Sequence, residues 1–84
     1  MYRIVTYPEA HDQIAALPRD TLDAYGDVLV VLELTPWNGP PLHEGNPAGA
    51  VRRWTFGSGQ AGQVIYLILD EQREVHVALV QWLG

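Results

Sequence analysis

The sequence predicts an α+β fold in which a two-helix hairpin packs on one face of a small antiparallel sheet. Three observations predict it: a β-branched and aromatic run at the N-terminus, two helical apolar stripes separated by a proline, and three further apolar runs after a loop rich in proline and glycine. The predicted order is β-α-α-β-β-β. The 84 residues are expected to form one domain, spanning 1–84, because a chain of this length has room for one core.

The first strand and the first helix are predicted on either side of Pro8. The run Tyr2–Tyr7 (YRIVTY) combines β-branched and aromatic residues, which favour a strand. Pro8 suits the first turn of a helix, and Glu9 suits its positive end. The helical stripe then consists of Ala10, Ile14 and Leu17.

A second helix is expected after Pro18, which interrupts the first stripe. Asp20 is the predicted N-cap. Thr35-Pro36 ends the helix, since the residue before a proline disfavours helical geometry. The last residues, VLVVLEL, are apolar on nearly all sides, so we expect this helix to be the most buried element. Its predicted stripe consists of Leu22, Tyr25, Leu29 and Leu32.

The second half of the chain predicts a loop and three strands. Pro36–Ala50 holds four of the six prolines, which favours a surface loop. Val51–Phe56 (VRRWTF) predicts the second strand, and QVIYLIL and EVHVALVQWL predict a closing hairpin. This hairpin is apolar at nearly every position of its two runs, so both sheet faces are expected to need cover. The helices cover one face, and the long loop or another protein chain covers the other.

The length of the hairpin loop determines which side chains share a face. A loop of two residues places Gln63, His76 and Trp82 together. A loop of three residues instead groups His76 and Trp82 with Tyr66, and leaves Gln63 opposite. Sequence alone leaves both registers open, and with them the role of His76.

Composition excludes several kinds of site. Ten carboxylates against five arginines give a formal net charge of −5, so a nucleic-acid contact would be local rather than driven by the overall field. There is no cysteine, and His11 and His43 lack a second ligand at metal spacing, so no metal site is predicted. With no signal-like segment and no apolar run of membrane-spanning length, we expect a soluble, cytoplasmic protein with no membrane contact.

The layout resembles the RelE/ParE superfamily of bacterial type II toxins over essentially the whole chain. The matching segments are YRIVTYPEA, the LP between the helices, the helix ending in LTPW, the strand RRWTFG, QVIYLILD and EVHVALVQW. The resemblance implies a RelE-like toxin that inhibits translation by cleaving mRNA on the ribosome, as a metal-independent endoribonuclease without a cofactor. It also implies a cognate antitoxin. Two alternatives remain open: a non-enzymatic ParE-like gyrase poison, and an inactive antitoxin-binding domain of the same fold. A homodimer is a further way to cover the apolar sheet.

The resemblance also suggests the site residues. The basic residues of the family's second strand correspond to Arg52 and Arg53. Adjacent strand residues point to opposite faces, so only one can face a substrate, and we favour Arg53 as the catalytic residue that stabilises phosphate charge. Arg52, Gln63 and Trp82 are assigned to substrate binding. Gln63 stands where the family usually has an arginine, and Trp82 can stack on a base or fill the core. The general base is unassigned.

Overall fold

The computed structural model describes all 84 residues and shows the predicted order of elements. Two short 3₁₀ turns, Pro36–Asn38 and Ser58–Gln60, lie in the connections on either side of the second strand. None of the helices combines the length and the hydropathy needed to cross a membrane. The main elements are β1 (Arg3–Thr6), α1 (Pro8–Ala15), α2 (Arg19–Leu34), β2 (Val51–Phe56), β3 (Gly62–Leu69) and β4 (Glu74–Trp82).

The four strands form one sheet in the order β1-β4-β3-β2. The β2–β3 and β3–β4 pairs are antiparallel, as predicted, but β1 pairs parallel with β4, so the sheet is mixed. Turn geometry makes consecutive strands antiparallel. It places no such constraint on β1 and β4, the first and last strands of the chain, and their direction could not be obtained from local sequence.

The core lies between the two helices and one face of the sheet. Along β3 every second residue is buried, and β4 contributes valines to the same face. This alternation is what a sheet covered on one side requires. The cluster holds 13 buried apolar residues: Tyr2, Ala10, Leu17, Tyr25, Val28, Leu32, Phe56, Val64, Tyr66, Ile68, Val75, Val77 and Val80.

Helix α2 differs from its predicted form in register and in burial. It begins at Arg19, after Pro18, and no side chain caps its first turn, so the expected Asp20 cap is wrong. Its buried stripe is Thr21, Tyr25, Val28 and Leu32. The helix lies on the surface of the sheet and buries one stripe only, so the expectation that it would be the most buried element is also wrong: the outward side chains Leu22, Val30 and Leu34 are 39%, 53% and 58% exposed.

A β-bulge at Ala78 sets the faces of the closing hairpin. A four-residue loop, Asp70–Arg73, leads to the pair Leu69–Glu74, and the pairing then shifts by one residue between Tyr66–Val77 and Ile65–Leu79. The extra residue turns every later β4 side chain to the other face. The observed grouping of side chains therefore matches neither predicted register in full. Gln63 and His76 share one face of the sheet, whereas Trp82 and Tyr66 lie on the other. The backbone N–H of Val80, just after the bulge, donates to Gln13 Oε1 of α1 at 2.7 Å.

The tip of the hairpin is tied to the start of the chain and to the turn after α2. The carboxylate of Asp70 accepts hydrogen bonds from Tyr2 Oη and, at 3.1 Å, from Trp37 Nε1. The bond from Tyr2, followed by that from Trp37, lowers the pKa of Asp70. Arg73 donates to Tyr2 Oη at 3.0 Å and lies over its ring. These contacts hold the start of the chain, the tip of the hairpin and the turn after α2 in one corner of the fold.

The long loop that follows α2 is anchored on the helix side of the sheet. Tyr66 Oη donates to the carbonyl of Pro36 at 2.6 Å in the buried core. A Cβ at Gly39 would lie 2.1 Å from the same hydroxyl oxygen, so only glycine fits there. The loop therefore does not cover the opposite face of the sheet.

Two buried tyrosines give a matched test of this anchor. Burial raises the pKa of both Tyr66 and Tyr25 to about 12, but only Tyr66 has a hydrogen-bond partner for its hydroxyl. We expect Tyr66→Phe to lower the free energy of unfolding by about 1–3 kcal/mol, because the buried carbonyl of Pro36 loses its short bond and keeps only the 3.5 Å bond from the N–H of Gly39. Tyr25→Phe should be neutral or stabilising, since it removes a buried polar atom without a partner. Urea denaturation of the two variants measures the difference; equal losses would contradict the anchoring role.

Candidate functional site

One face of the sheet is not packed against either helix or the long loop, and we call it the open face. Strand alternation and the observed pairings place side chains of all four strands on it. Its centre is apolar and half-buried, whereas polar groups lie towards its edges and ends. The open face consists of Arg3, Val5, Val51, Arg53, Thr55, Gln63, Ile65, Leu67, Leu69, Glu74, His76, Leu79 and Gln81.

Arg53 is the cation of the open face that has no partner. It lies on β2 in a row with Ile65 of β3 and Leu79 of β4. Its backbone is fixed by β2 pairing and by an N–H bond to the carbonyl of Pro40 at 3.1 Å. None of the three ion pairs in the structure involves its guanidinium. A partly exposed arginine without an ion-pair partner, beside apolar side chains, is suited to binding a phosphate or carboxylate.

Neutral amides occupy the end of the open face next to Arg53. Gln63 faces Gln81 across the β3–β4 pair, and its Nε2 donates to Gln81 Oε1 at 3.2 Å. Thr55, on the adjacent strand, donates to Gln60 Oε1 at 3.1 Å. The structure thus places Gln63 in the row beside Arg53. The end of the face offers hydrogen bonds without adding charge.

Arg52 lies on the other side of the sheet. It is 8% exposed, pairs with Tyr66, and donates to three loop carbonyls: to Gly49 at 2.9 Å, to Gly39 at 3.0 Å and to Pro47 at 2.8 Å. Its guanidinium also lies 5.0 Å from the ring centroid of Trp37. With its donors directed to the loop, Arg52 fastens the loop and does not reach the open face.

Trp82 also lies on the helix side, apart from Arg53 and Gln63. Its ring stacks on Phe56 with centroids 6.5 Å apart. A Cβ at Gly57, whose φ is 80°, would lie 3.0 Å from the indole. The indole thus supports the core at the end of the sheet, and it also lines a cleft of about 370 Å³ with residues of α2 and of the β2–β3 connection.

A chain of polar side chains that the sequence did not group crosses β1 and β4 on the open face. Tyr7 Oη lies 2.9 Å from His76 Nδ1, and His76 Nε2 lies 2.9 Å from Glu74 Oε1. Glu74 in turn forms an ion pair with Arg3. The hydrogen bond from His76, and then that from Arg3, lowers the pKa of Glu74. No sequence signal pairs Tyr7 with His76, because their contact depends on the parallel β1–β4 register.

Charge is divided between the two sides of the molecule. The helices carry six of the ten carboxylates and one of the five arginines: Glu9, Asp12, Arg19, Asp20, Asp23, Asp27 and Glu33. On the open face, Arg3 and Arg53 stand against the single carboxylate of Glu74. The net charge of −5 therefore does not describe the open face.

Because the two arginines lie on opposite sides of the sheet, their replacement is expected to change stability by different amounts. Arg52→Ala should lower the free energy of unfolding by about 1.5–3 kcal/mol or more, because three loop carbonyls, of which that of Gly39 is buried, lose a charged donor. Arg53→Ala should change it by less than about 0.5 kcal/mol, the usual range for a surface side chain. Chemical denaturation of both variants measures this; a larger loss for Arg53→Ala would contradict the assignment.

No protein-family model matches the chain, and no curated protein matches it in sequence. Solved structures do match. The isolated Escherichia coli RelE toxin superposes with a TM-score of 0.82 at 14% identity, covering 100% of this chain and 86% of that one. A chain of the intact E. coli RelBE toxin–antitoxin complex gives a TM-score of 0.76 at 17% identity, with 100% of this chain and 99% of that one covered. A chain of the Mycobacterium tuberculosis RelBE2 toxin–antitoxin complex gives a TM-score of 0.68 at 19% identity, with 98% of each chain covered.

These matches span nearly the whole chain and include both isolated toxin and toxin–antitoxin complexes. At 14–19% identity, the likeness extends to the backbone and the order of elements, while most side chains differ. The resemblance noted in the sequence is confirmed at that level: this chain has the fold of the RelE toxins.

Proposed function

We propose that the protein is the toxin of a type II toxin–antitoxin pair, and that it inhibits translation by cleaving mRNA on the ribosome. The observation that carries this proposal is the unpaired guanidinium of Arg53 on an uncovered, largely apolar sheet face. The RelE fold supports the same function, since the solved structures that share it are toxins and toxin–antitoxin complexes.

The chemistry of the open face fits RNA cleavage that needs no metal. Attack of a ribose 2′-hydroxyl on the adjacent phosphate builds negative charge on the phosphoryl oxygens, which Arg53 would stabilise. Gln63 and Gln81 would donate hydrogen bonds to the sugar-phosphate backbone. The central leucine and isoleucine side chains provide an apolar surface for bases.

Two other functions use the same fold. A gyrase poison needs a binding surface and no acid–base groups, and an inactive domain needs only the antitoxin surface. The presence of a fixed, unpaired arginine on the open face favours RNA cleavage over both. Induced expression of the protein distinguishes the three functions. Transcripts cut at ribosome-occupied positions indicate RNA cleavage, and a DNA-damage response indicates gyrase poisoning. Normal growth indicates the inactive domain.

Arg53→Ala is expected to reduce RNA cleavage by about 10²–10³-fold, the usual cost of removing one charge-stabilising donor from a transition state. Gln63→Arg should raise the rate, because it places a second cation in the neighbouring row of the open face. Single-turnover cleavage of mRNA on purified ribosomes measures both effects.

Arg19→Ala is the matched control, since Arg19 is exposed and lies on α2, away from the open face. It should cleave at the parent rate. If Arg53→Ala cleaves as fast as Arg19→Ala while remaining folded, Arg53 is not the catalytic residue.

A cognate antitoxin is proposed to cover the open face. The half-buried side chains of Ile65, Leu67 and Leu79 form its apolar centre, and partial exposure of adjoining apolar groups typically marks a protein interface. Covering these side chains would also cover Arg53, so binding and inhibition would be one event. Self-association through the same face is the competing arrangement.

Leu67→Asp should abolish binding of the antitoxin, because it places a charge in the apolar centre of this interface. Val30→Asp, on the outward side of α2, is the matched control and should bind normally. Thermal melting of each variant, alone and with the product of the reading frame adjacent to the gene, measures binding as a rise in Tm. A rise for Leu67→Asp equal to that of the parent would contradict the interface.

A further inference from the structure

The chain of contacts from Glu74 through His76 to Tyr7 has the chemistry of a proton relay. A carboxylate can only accept hydrogen bonds, so Glu74 Oε1 requires the proton of His76 on Nε2. In the neutral imidazole Nδ1 is then an acceptor, and it receives the hydroxyl proton of Tyr7 at 2.9 Å. This is the carboxylate–imidazole–hydroxyl order that activates a hydroxyl elsewhere in proteins.

Each member of the relay is held in place. The side chains of His76 and Glu74 are both 17% exposed, and Arg3 forms an ion pair with the carboxylate from the neighbouring strand. Tyr7 precedes Pro8, which restricts its backbone to the extended region in which it is found. Its N–H donates to the carbonyl of Val77 at 3.0 Å, and its own carbonyl accepts from His11 at 2.9 Å.

Tyr7 is the most exposed member of the relay. Tyr7 is 37% exposed, whereas Tyr2, Tyr25 and Tyr66 are buried. The phenol ring makes an edge contact with the imidazole, with centroids 5.4 Å apart, and it lines an open cavity of about 340 Å³ with Pro8, Glu9 and Ala78. Glu9 also lines this cavity, and Arg3 is paired with Glu74. Since the Tyr7 proton points towards His76, the lone pairs of the phenol oxygen are free to accept a proton from a ligand.

We propose that Glu74, His76 and Tyr7 form a proton relay in which Tyr7 is the proton acceptor and the other two are positioning residues. This assignment rests on the proposed function, in which Tyr7 is the general base of RNA cleavage that the sequence left unassigned. The ribose 2′-oxygen forms a bond to phosphorus and its proton moves to Tyr7 Oη, while the Tyr7 proton moves to His76 Nδ1. The bond from phosphorus to the 5′-oxygen breaks, and that oxygen takes a proton from water. The hydroxide that remains takes the additional proton from the relay, which returns His76 to its neutral form.

The position of Tyr7 allows it to act with Arg53. Tyr7 follows β1 level with the bulge at Ala78, and Arg53 lies in the nearby row that contains Ile65 and Leu79. Their strands are three spacings apart, about 14 Å. A tyrosine and an arginine that reach across the open face from these two strands can contact one phosphodiester between them, on opposite sides.

The relay can be tested without RNA. An arylsulfonyl fluoride reacts with a tyrosine when the phenol oxygen bonds to sulfur and fluoride leaves, with the phenol proton passing to a base. Tyr7 should react at least about tenfold faster in the parent than in His76→Gln or Glu74→Gln, because general-base assistance typically contributes about 10²–10⁴-fold. His11→Gln and His43→Gln, both exposed histidines outside the relay, are the controls and should react at the parent rate.

Mass spectrometry locates the label, and thermal melting confirms that each variant is folded. If Tyr7 reacts equally fast in the parent and in both relay variants, the relay is wrong whatever the protein does to RNA. If the rates differ but the parent cleaves no mRNA on ribosomes, the relay stands and the proposed function fails. If the parent cleaves mRNA and Tyr7→Phe cleaves equally fast, Tyr7 is not the general base.

Discussion

The parallel pairing of β1 with β4 is the constraint on which the rest of this structure depends. It places the first residues of the chain beside the closing hairpin, so that Tyr2 meets Asp70, Arg3 meets Glu74 and Tyr7 meets His76. It also makes β4 an interior strand, with buried valines on the helix side. Without this pairing the hairpin would keep its turn and its core face, but the polar chain across the open face would not exist.

The bulge at Ala78 has a comparable effect on the other end of β4. One additional residue moves Trp82 to the core and Gln81 to the open face. The ladder is locally interrupted there, and Gln13 of α1 satisfies the N–H of Val80. A helix residue thus stabilises the irregularity that determines which side chains the end of the open face presents.

Much of the fold could be predicted from local sequence. The helix boundaries are marked by Pro8, Pro18 and Pro36, because the proline ring restricts the backbone. The strands are marked by apolar runs. Both kinds of element can therefore be predicted from the sequence pattern. Alternation alone indicates that Arg52 and Arg53 face opposite ways, as they do. The direction of β1, the bulge and the stripe of α2 depend on tertiary contacts between distant residues. His76 could be singled out from the sequence because it is a histidine within an apolar run. Its partners Tyr7 and Glu74 could not, because their contacts with it form only in the folded sheet.

The division of charge between helices and sheet gives the molecule an electrostatic orientation. With six carboxylates on the helices and two arginines against one carboxylate on the open face, a polyanion approaching the helix side is repelled. The same polyanion meets no comparable barrier on the sheet side. On the function proposed above, this division of charge would bring the open face foremost to a surface made largely of RNA, so that the encounter is oriented before any side chain makes contact.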